Sequence, residues 1–321
     1  MNIDNIAILT SGGDSQGMNT VVSIIVRVAK QRDMNVFGIK YGYKGLCEDD
    51  FVKLDSFMVE NTANMGGTVL KTSRYPEFLE LKYVAKAVEN LKKHKIDALI
   101  VVGGDGSFRG ARTLSEMGVN VIAIPATVDN DLRYTDNCLG FDTAVNNATE
   151  MIDKIKQTMI SMDRGVVFEV MGRYCGDIAL YTACASACDI IAVPEKPISQ
   201  DELILKIKES IKKNKRAPIV VIAEKMFDVT KIVQILNEET NYEFKYSVIG
   251  YIQRGGEPSV ADRVLSLQFA VRAIDLISKG IFNKAIGTKN GKVIEMPIDD
   301  ALHCEYNFNY DLLNLFYLLN N

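Results

Sequence analysis

The sequence predicts an α/β protein of two domains. Three observations carry this. Short apolar runs alternate with longer segments of helical periodicity. Most of the runs are continuously apolar rather than alternating, which suits strands buried on both faces of a parallel sheet. The 321 residues exceed the size at which one core serves a whole chain, and at about 150 residues per domain they suggest two. Alternating strands and helices imply right-handed crossovers.

In chain order, the predicted strands are "IAIL" (6–9), "NVFGIK" (35–40), "ALIVV" (98–102), "VNVIAI" (119–124), "VVFEVM" (166–171), "IIAV" (190–193), "PIVVIA" (218–223) and "YSVIGYI" (246–252). Between the first two, 17–32 carries Met18, Val21, Val22, Ile25 and Val28 at helical spacing. Residues 203–215 place Leu203, Ile204, Ile207 and Ile211 on one helix face and lysines on the other, a face that solvent alone would explain. Near 280–298 the pattern changes. Asn290-Gly291 between two β-prone runs signals a hairpin, and "YDLLNLFYLLNN" ends the chain as a helix.

Hydrophobic residues make up 47% and charged residues 24%, a globular balance. The net charge of −4 offers no basic excess for neutralising nucleic-acid phosphates. Six cysteines and two histidines without a C-x-x-C are too sparse for a disulfide framework or a zinc site. Cys184 and Cys188, spaced i,i+4, are expected to pack as small apolar residues on one helix. "MNIDNIAILT" lacks the basic and apolar regions of a signal peptide, and no apolar run approaches ~18 residues. No membrane role is expected, and the expected location is the cytoplasm.

In open α/β sheets ligands bind beyond the carboxyl ends of the strands. Four polar stretches fall there: "TSGGDSQGMN" (10–19), "GGDGS" (103–107), "PATVDND" (125–131) and "MGRYCGD" (171–177). The first two are glycine loops running into a helix, where exposed backbone N–H groups attract anions. A tight turn would also account for Gly12-Gly13. Neither loop is a P-loop, because no Gly-Lys-Ser/Thr follows. Gly104-x-Gly106-x-x-x-Gly110 approaches a dinucleotide fingerprint, but its last glycine is one place late. Asp105, set between glycines, suits a magnesium ion met through water.

Carboxylates at the end of a buried strand are costly unless solvated, paired or used. An N-cap would explain one of Asp129 and Asp131. A general base with a second carboxylate to orient it explains both. Cradled phosphates, a metal-facing carboxylate and a base are the parts of phosphoryl transfer to an alcohol. Arg74, Arg164, Arg173 and Arg254 lie near strand ends or glycines and are candidate anion ligands.

"LTSGGDSQGMN", "VVGGDGS", "PATVDND", "EVMGRYCGD" and "GYIQRGGEPS", in this order from about residue 5 to about 280, resemble the bacterial ATP-type 6-phosphofructokinases. The resemblance implies two parallel-sheet α/β domains with the active site in the cleft between them. The nucleotide-binding domain would be 1–140 plus 253–303, and the sugar-phosphate-binding domain 141–252 plus 304–321. It implies MgATP-dependent phosphorylation of fructose 6-phosphate at the 1-hydroxyl, the committing step of glycolysis, by a homotetramer with sites shared between subunits. By motif, Asp129 would be the base, supported by Thr127 and Asp131. Arg173, Met171 and Gly172 would face the transferring phosphoryl and the sugar. Asp105 would serve Mg2+, and Gly13, Arg74, Tyr75, Gly104, Gly106 and Ser107 would line the ATP. Glu224 would bind sugar hydroxyls, and Arg254 with a neighbour's Arg164 the sugar phosphate.

Departures from the family pattern follow. Lys245 stands where an arginine is usual, keeping the charge without the bidentate fork. Tyr251 stands where a histidine is usual. Pyrophosphate-dependent relatives place Asp and Lys where this chain has Gly106 and Ala126, so ATP is the expected donor. A silent regulatory paralogue would be expected to lose Asp105, Asp129 or Arg173, and all three are present. In the effector set, Arg27, Lys156, Lys213 and Lys215 remain cationic. Ser23 and Ser56 replace arginines, Asn61 an aspartate and Asp189 a glutamate, so a blunted response to ADP and phosphoenolpyruvate is expected.

Overall fold

The computed structural model describes residues 3–214, 216–305 and 308–320. The chain forms two compact units. The first comprises Met1–Val128, Leu132–Thr143 and Arg254–Tyr306, and the second Asp129–Asp131, Ala144–Gln253 and Asn307–Asn321. The sequence-derived limits at 140, 253 and 303 fall a few residues from three of these borders. Nothing in the composition marked the excursion at 129–131.

Eleven strands are found among the described residues: β1 Asn5–Ser11, β2 Asn35–Ile39, β3 Phe51–Leu54, β4 Ala98–Gly103, β5 Val121–Pro125, β6 Gly165–Val170, β7 Ile190–Ala192, β8 Ile219–Ala223, β9 Phe244–Val248, β10 Lys284–Lys289 and β11 Lys292–Pro297. In the first unit they form one sheet in the order β11-β10-β5-β4-β1-β2-β3. Its interior pairs are parallel. Its two edges are antiparallel: the β10–β11 pair is the hairpin expected at Asn290-Gly291, and the β2–β3 pair was not expected. The β10–β11 turn is Asn290-Gly291, both with positive φ, as a two-residue hairpin of right-handed twist requires.

The continuous apolar runs have a direct cause. Ile6, Ile8, Ile100 and Val102 enter the core on one face of this sheet. Ala7, Leu9, Leu99 and Val101 enter the core on the other. With period-two side chains, a strand covered on both faces has no place for a polar residue. The second unit repeats the plan with four parallel strands in the order β7-β8-β6-β9. Val167, Val220 and Ile222 pack with Leu203, Ile204 and Ile207 of helix Gln200–Asn214 and with Ile232, Val233 and Leu236 of helix Val229–Glu239.

Register then decides where the loops emerge. In the first sheet the chain leaves β1 toward β2 on one side and reaches β4 and β5 on the other, so a topological switch point lies between β1 and β4. Ser11 pairs with Gly103 and Gly103 with Pro125. The loops after β1, β4 and β5 therefore leave one edge side by side. In the second sheet Val170 pairs with Ala223 and Glu169 with Val248, which brings the loops after β6, β8 and β9 to one edge.

Two sequence expectations are corrected. The run 246–252 is strand only to Val248. Gly250 takes φ 54° and the chain turns into a 3-10 helix, Gly250–Arg254. Cys184 and Cys188 do not share a helix. The helix Asp177–Ala185 ends between them, and Ala187 takes a left-handed φ of 45°. Cys188 is buried beyond the turn, and burial pushes its thiol up to about 12.

Candidate active site

In the first unit the two glycine loops meet. Gly12 has φ 89°, and a Cβ built there would lie 3.5 Å from Ser107 Oγ. A Cβ on Gly103 would strike Ser107 Oγ at 2.4 Å and Ser11 O at 2.6 Å. Only glycine permits this approach of β1's end to the helix Asp105–Glu116. Gly104 is the N-cap of that helix. Asp105 opens its first turn, where the helix dipole favours negative charge, and Arg109 one turn on bonds it at 2.8 Å. Gly106 faces open space, with no atom within 4 Å of a Cβ built there. Ser107 is buried, and its carbonyl accepts from Tyr43 Oη at 2.5 Å. Thr127 lies beside this helix start, its Cβ 3.4 Å from a Cβ built on Gly104. The two loops thus converge at the start of this helix, beside the half-exposed carboxylate of Asp105, an arrangement suited to phosphates and a hydrated cation.

Arg254 lies across Gly13. A Cβ on that glycine would stand 2.0 Å from its Nη2. Nε and Nη2 donate to Asp14 O at 3.1 and 2.7 Å, and Nη2 pairs with Asp14 Oδ1 at 3.1 Å. The guanidinium expected on the sugar phosphate is therefore lodged against the first glycine loop. Arg74 is exposed. Tyr75 beside it packs its ring near Tyr83 at 5.5 Å, and burial pushes its phenol up to about 12.

The second unit holds the other set. Asn130 adopts φ 53°, a conformation asparagine tolerates better than most residues. Its Nδ2 donates to Asp177 Oδ2 at 2.9 Å. This bond anchors the turn between Asp129 and Asp131 to the first residue of helix Asp177–Ala185. In the loop after β6, Gly172 has φ 139°, and a Cβ there would lie 2.2 Å from Cys175 O. Arg173 follows at φ 61°, a costly conformation for a long side chain and one that clusters at functional sites. Its N–H donates to Glu224 Oε1 at 3.0 Å, so Glu224 holds the strained turn. Met171 N donates to Gln253 Oε1 at 3.2 Å, and Gln253 is fully buried.

Arg164 and Lys245 stand apart from this set. They precede or begin the pairing of β6 with β9, where Gly165 faces Phe244 and Val166 faces Lys245. Met171 and Arg173 follow β6 at its other end. Six strand residues at about 3.3 Å each separate the two groups by roughly 20 Å. Both cations bond one carboxylate. Arg164 Nε lies 2.5 Å from Glu243 Oε2 and Lys245 Nζ 2.6 Å from Glu243 Oε1. The Lys245 hydrogen bond in particular, with Arg164 adding to it, holds Glu243 below the ordinary carboxylate range. Tyr251 is 82% exposed on the 3-10 turn.

Of the effector candidates, Arg27 is exposed on helix Met18–Lys30 of the first unit. The others fall in the second unit. Lys156 donates to Ser186 O at 2.5 Å and Ala187 O at 3.0 Å. Asp189 is engaged by Arg216 through both carboxylate oxygens, at 3.1 and 2.5 Å, and by Ile219 N at 2.7 Å. Lys213 closes helix Gln200–Asn214. Lys215 lies outside the described residues. Sequence reasoning did not single out Asp14, Glu243 or Gln253. Gln253 sits inside the quoted "GYIQRGG", so position within a motif was its only signal.

Glycine loops at a topological switch point, leading into a helix that opens on an acid, are an arrangement that phosphoryl-transfer proteins use. The chain belongs to the phosphofructokinase family, whose model, described as Phosphofructokinase, matches residues 5–277. It is 41% identical over 310 residues to an "ATP-dependent 6-phosphofructokinase" of Clostridium botulinum (strain Hall), covering 97% of each chain. It is 44% identical over 297 residues to a protein of the same name from Clostridioides difficile (strain 630), covering 92% of this chain and 93% of the other. Among solved structures it resembles phosphofructokinase from Saccharomyces cerevisiae, with a TM-score of 0.85 and 30% identity over 93% of this chain, which spans 45% of the yeast chain.

Proposed function

We propose that this protein is an ATP-dependent 6-phosphofructokinase, moving the γ-phosphoryl group of ATP to the 1-hydroxyl of fructose 6-phosphate. The observation that carries the reading is the shared edge of β1, β4 and β5, where the glycine loops and Asp105 form a phosphate cradle. Family membership narrows the chemistry.

In this reaction Asp129 takes the proton of the sugar 1-hydroxyl. The freed oxygen bonds to the γ-phosphorus as the bond to the β-phosphate oxygen breaks, and ADP leaves. Thr127 and Asp131 hold the base and the acceptor in register, and Arg173 balances charge on the transferring group. Gly172 and Met171 shape the turn that carries Arg173, and Glu224 both fixes that turn and meets sugar hydroxyls. Arg254, lodged against Asp14, is assigned to the sugar phosphate. Gly13, Gly104, Gly106 and Ser107 receive the phosphates, with Arg74 and Tyr75 along the nucleotide.

Among the described residues no group of three or more His, Cys, Asp or Glu side chains is arranged to hold a metal. Mg2+ is commonly held by one or two carboxylates together with substrate phosphates. Asp105 is the carboxylate in place. When bound, the ion would supply charge neutralisation on the transferring phosphates.

Arg164 and Lys245 lie at the far strand end from their own chain's Arg173, so we assign them to the sugar phosphate of a neighbouring subunit. The proposed assembly is a homotetramer. Among the described residues no helix is long and apolar enough to cross a membrane, and the proposed location is the cytoplasm.

A donor-by-acceptor grid tests the reading. ATP, GTP and pyrophosphate are each tried with fructose 6-phosphate and related sugar phosphates. The expected result is highest turnover with ATP and fructose 6-phosphate. Faster turnover with pyrophosphate would overturn the donor, and preference for another sugar phosphate the acceptor.

Regulation is expected to be weak. Asp189 is committed to Arg216, and Ser23 is turned inward to Val59 O at 3.2 Å. Each guanidinium lost from an effector phosphate removes about 1.5–3 kcal/mol of charge-assisted bonding. An effector shifts an equilibrium only by its differential affinity. Saturation curves for fructose 6-phosphate should therefore move less than about twofold with millimolar ADP or phosphoenolpyruvate. A larger shift that disappears in Lys213→Ala would refute this.

A further inference from the structure

The segment from Glu60 to Tyr75 has no helix or strand, yet it carries Arg74 and Tyr75. Its backbone is held by side chains. Ser23 Oγ donates to Val59 O at 3.2 Å and Thr20 Oγ1 to Ala63 O at 2.5 Å. Asn19 Nδ2 donates to Met65 O at 3.1 Å and Gly66 O at 3.2 Å, and its Oδ1 accepts from Val69 N at 2.7 Å. Thr10 Oγ1 donates to Lys71 O at 2.9 Å, and Thr72 Oγ1 returns a bond to Gly12 O at 2.8 Å. These rungs run in order along the segment and end on the first glycine loop.

Ser23, Thr20 and Asn19 are buried on the first turns of helix Met18–Lys30. Buried polar groups there weaken a core unless they are bonded; Thr20 and Asn19 are bonded to this segment, and Ser23 to Val59 just before it. Asn19, 1% exposed, uses both its donor and its acceptor, and three of the rungs pass through it. The turn it grips is tightly seated, since a Cβ on Gly66 would lie 2.2 Å from Gly256 O. Gln16 Nε2 donates to Gly255 O at 2.8 Å, next in the chain to Arg254. The motif "GGDSQGMN" thus continues past its glycines for a physical reason: its last residue holds a strap of backbone in place.

We infer that Asn19 is a positioning residue for the phosphoryl donor. It sets the strap 63–75 against the Gly12–Gly13 loop and thereby places Arg74 and Tyr75. The inference rests on the proposed reading of those two residues as nucleotide contacts.

Asn19→Asp preserves shape and the bond from Val69, but sets an oxygen against two carbonyl oxygens. The expected result is faster amide hydrogen exchange across 63–72 and a KM for ATP raised about tenfold. Both kcat and the KM for fructose 6-phosphate should stay within about twofold. A role confined to stability would lower the melting temperature and leave the ratio of the two KM values alone. Thr20→Val, which removes a single rung isosterically, should move the KM for ATP in the same direction by a smaller factor. It carries the test should the aspartate variant not fold. Arg74→Ala is measured beside them. A raised KM for ATP in Arg74→Ala with an unchanged one in the strap variants overturns the inference alone. An unchanged KM in Arg74→Ala overturns the reading of Arg74, and the inference with it.

Discussion

Asp129→Ser is expected to lower kcat by roughly 10²–10⁴ while leaving the KM values for both substrates within about threefold. The reasoning is local. The turn that carries Asp129 is anchored by the Asn130 to Asp177 bond, which the substitution does not touch, so the backbone should keep its place. What is lost is the proton acceptor. Serine cannot take a proton at neutral pH, and the 1-hydroxyl must then lose it to water. Steady-state kinetics with ATP and fructose 6-phosphate decide the matter. A kcat close to that of the unmodified enzyme would remove Asp129 from the chemistry and leave Asp131 as the candidate base.

The second large effect is expected at Gly106. Apart from its chain neighbours and its own helix backbone, a Cβ there has no atom within 4 Å, and a carboxylate near the start of a helix is favoured by the helix dipole. Gly106→Asp should therefore fold and melt normally. Its new charge would stand where the phosphates of ATP are proposed to bind. Two like charges about 4 Å apart, at the effective dielectric of a protein surface, repel by about 4 kcal/mol. Salt and relaxation lessen this, so kcat/KM for ATP should fall by roughly 10²–10³. Unaltered ATP kinetics in a variant with an unaltered melting curve would place the nucleotide elsewhere.

The sheet interiors were legible because burial on both faces leaves an unmistakable trace: "IAIL", "ALIVV" and "PIVVIA" have no polar position. β3 escaped notice because it is an edge strand whose "FVKL" is only partly covered. β9 was drawn too long because an apolar run continues through Gly250, and its left-handed φ is set by the chain's turn rather than by apolar content. The site motifs were legible because glycine, aspartate and arginine at strand ends have few structural reasons to be there. The residues that hold them were not. Gln253, Glu243 and Asn19 act through hydrogen bonds and ion pairs whose partners no periodic pattern reveals. The sequence also carries no sign that Asp129–Asp131 packs with the second unit while its flanks pack with the first.

The placement of Arg164 and Lys245 at the far end of β6 from Arg173 has a consequence for inheritance and evolution. On the proposed assembly, no single chain owns a complete sugar-phosphate pocket. Dilution that separates subunits would cost affinity for the sugar before it cost affinity for the nucleotide, whose proposed cradle lies within one unit. A substitution on the surface that joins subunits would then behave genetically like a lesion in the catalytic machinery. Two chains defective at different ends of the same strand could restore each other when produced together, so selection on this enzyme would act on the pair as much as on the individual polypeptide.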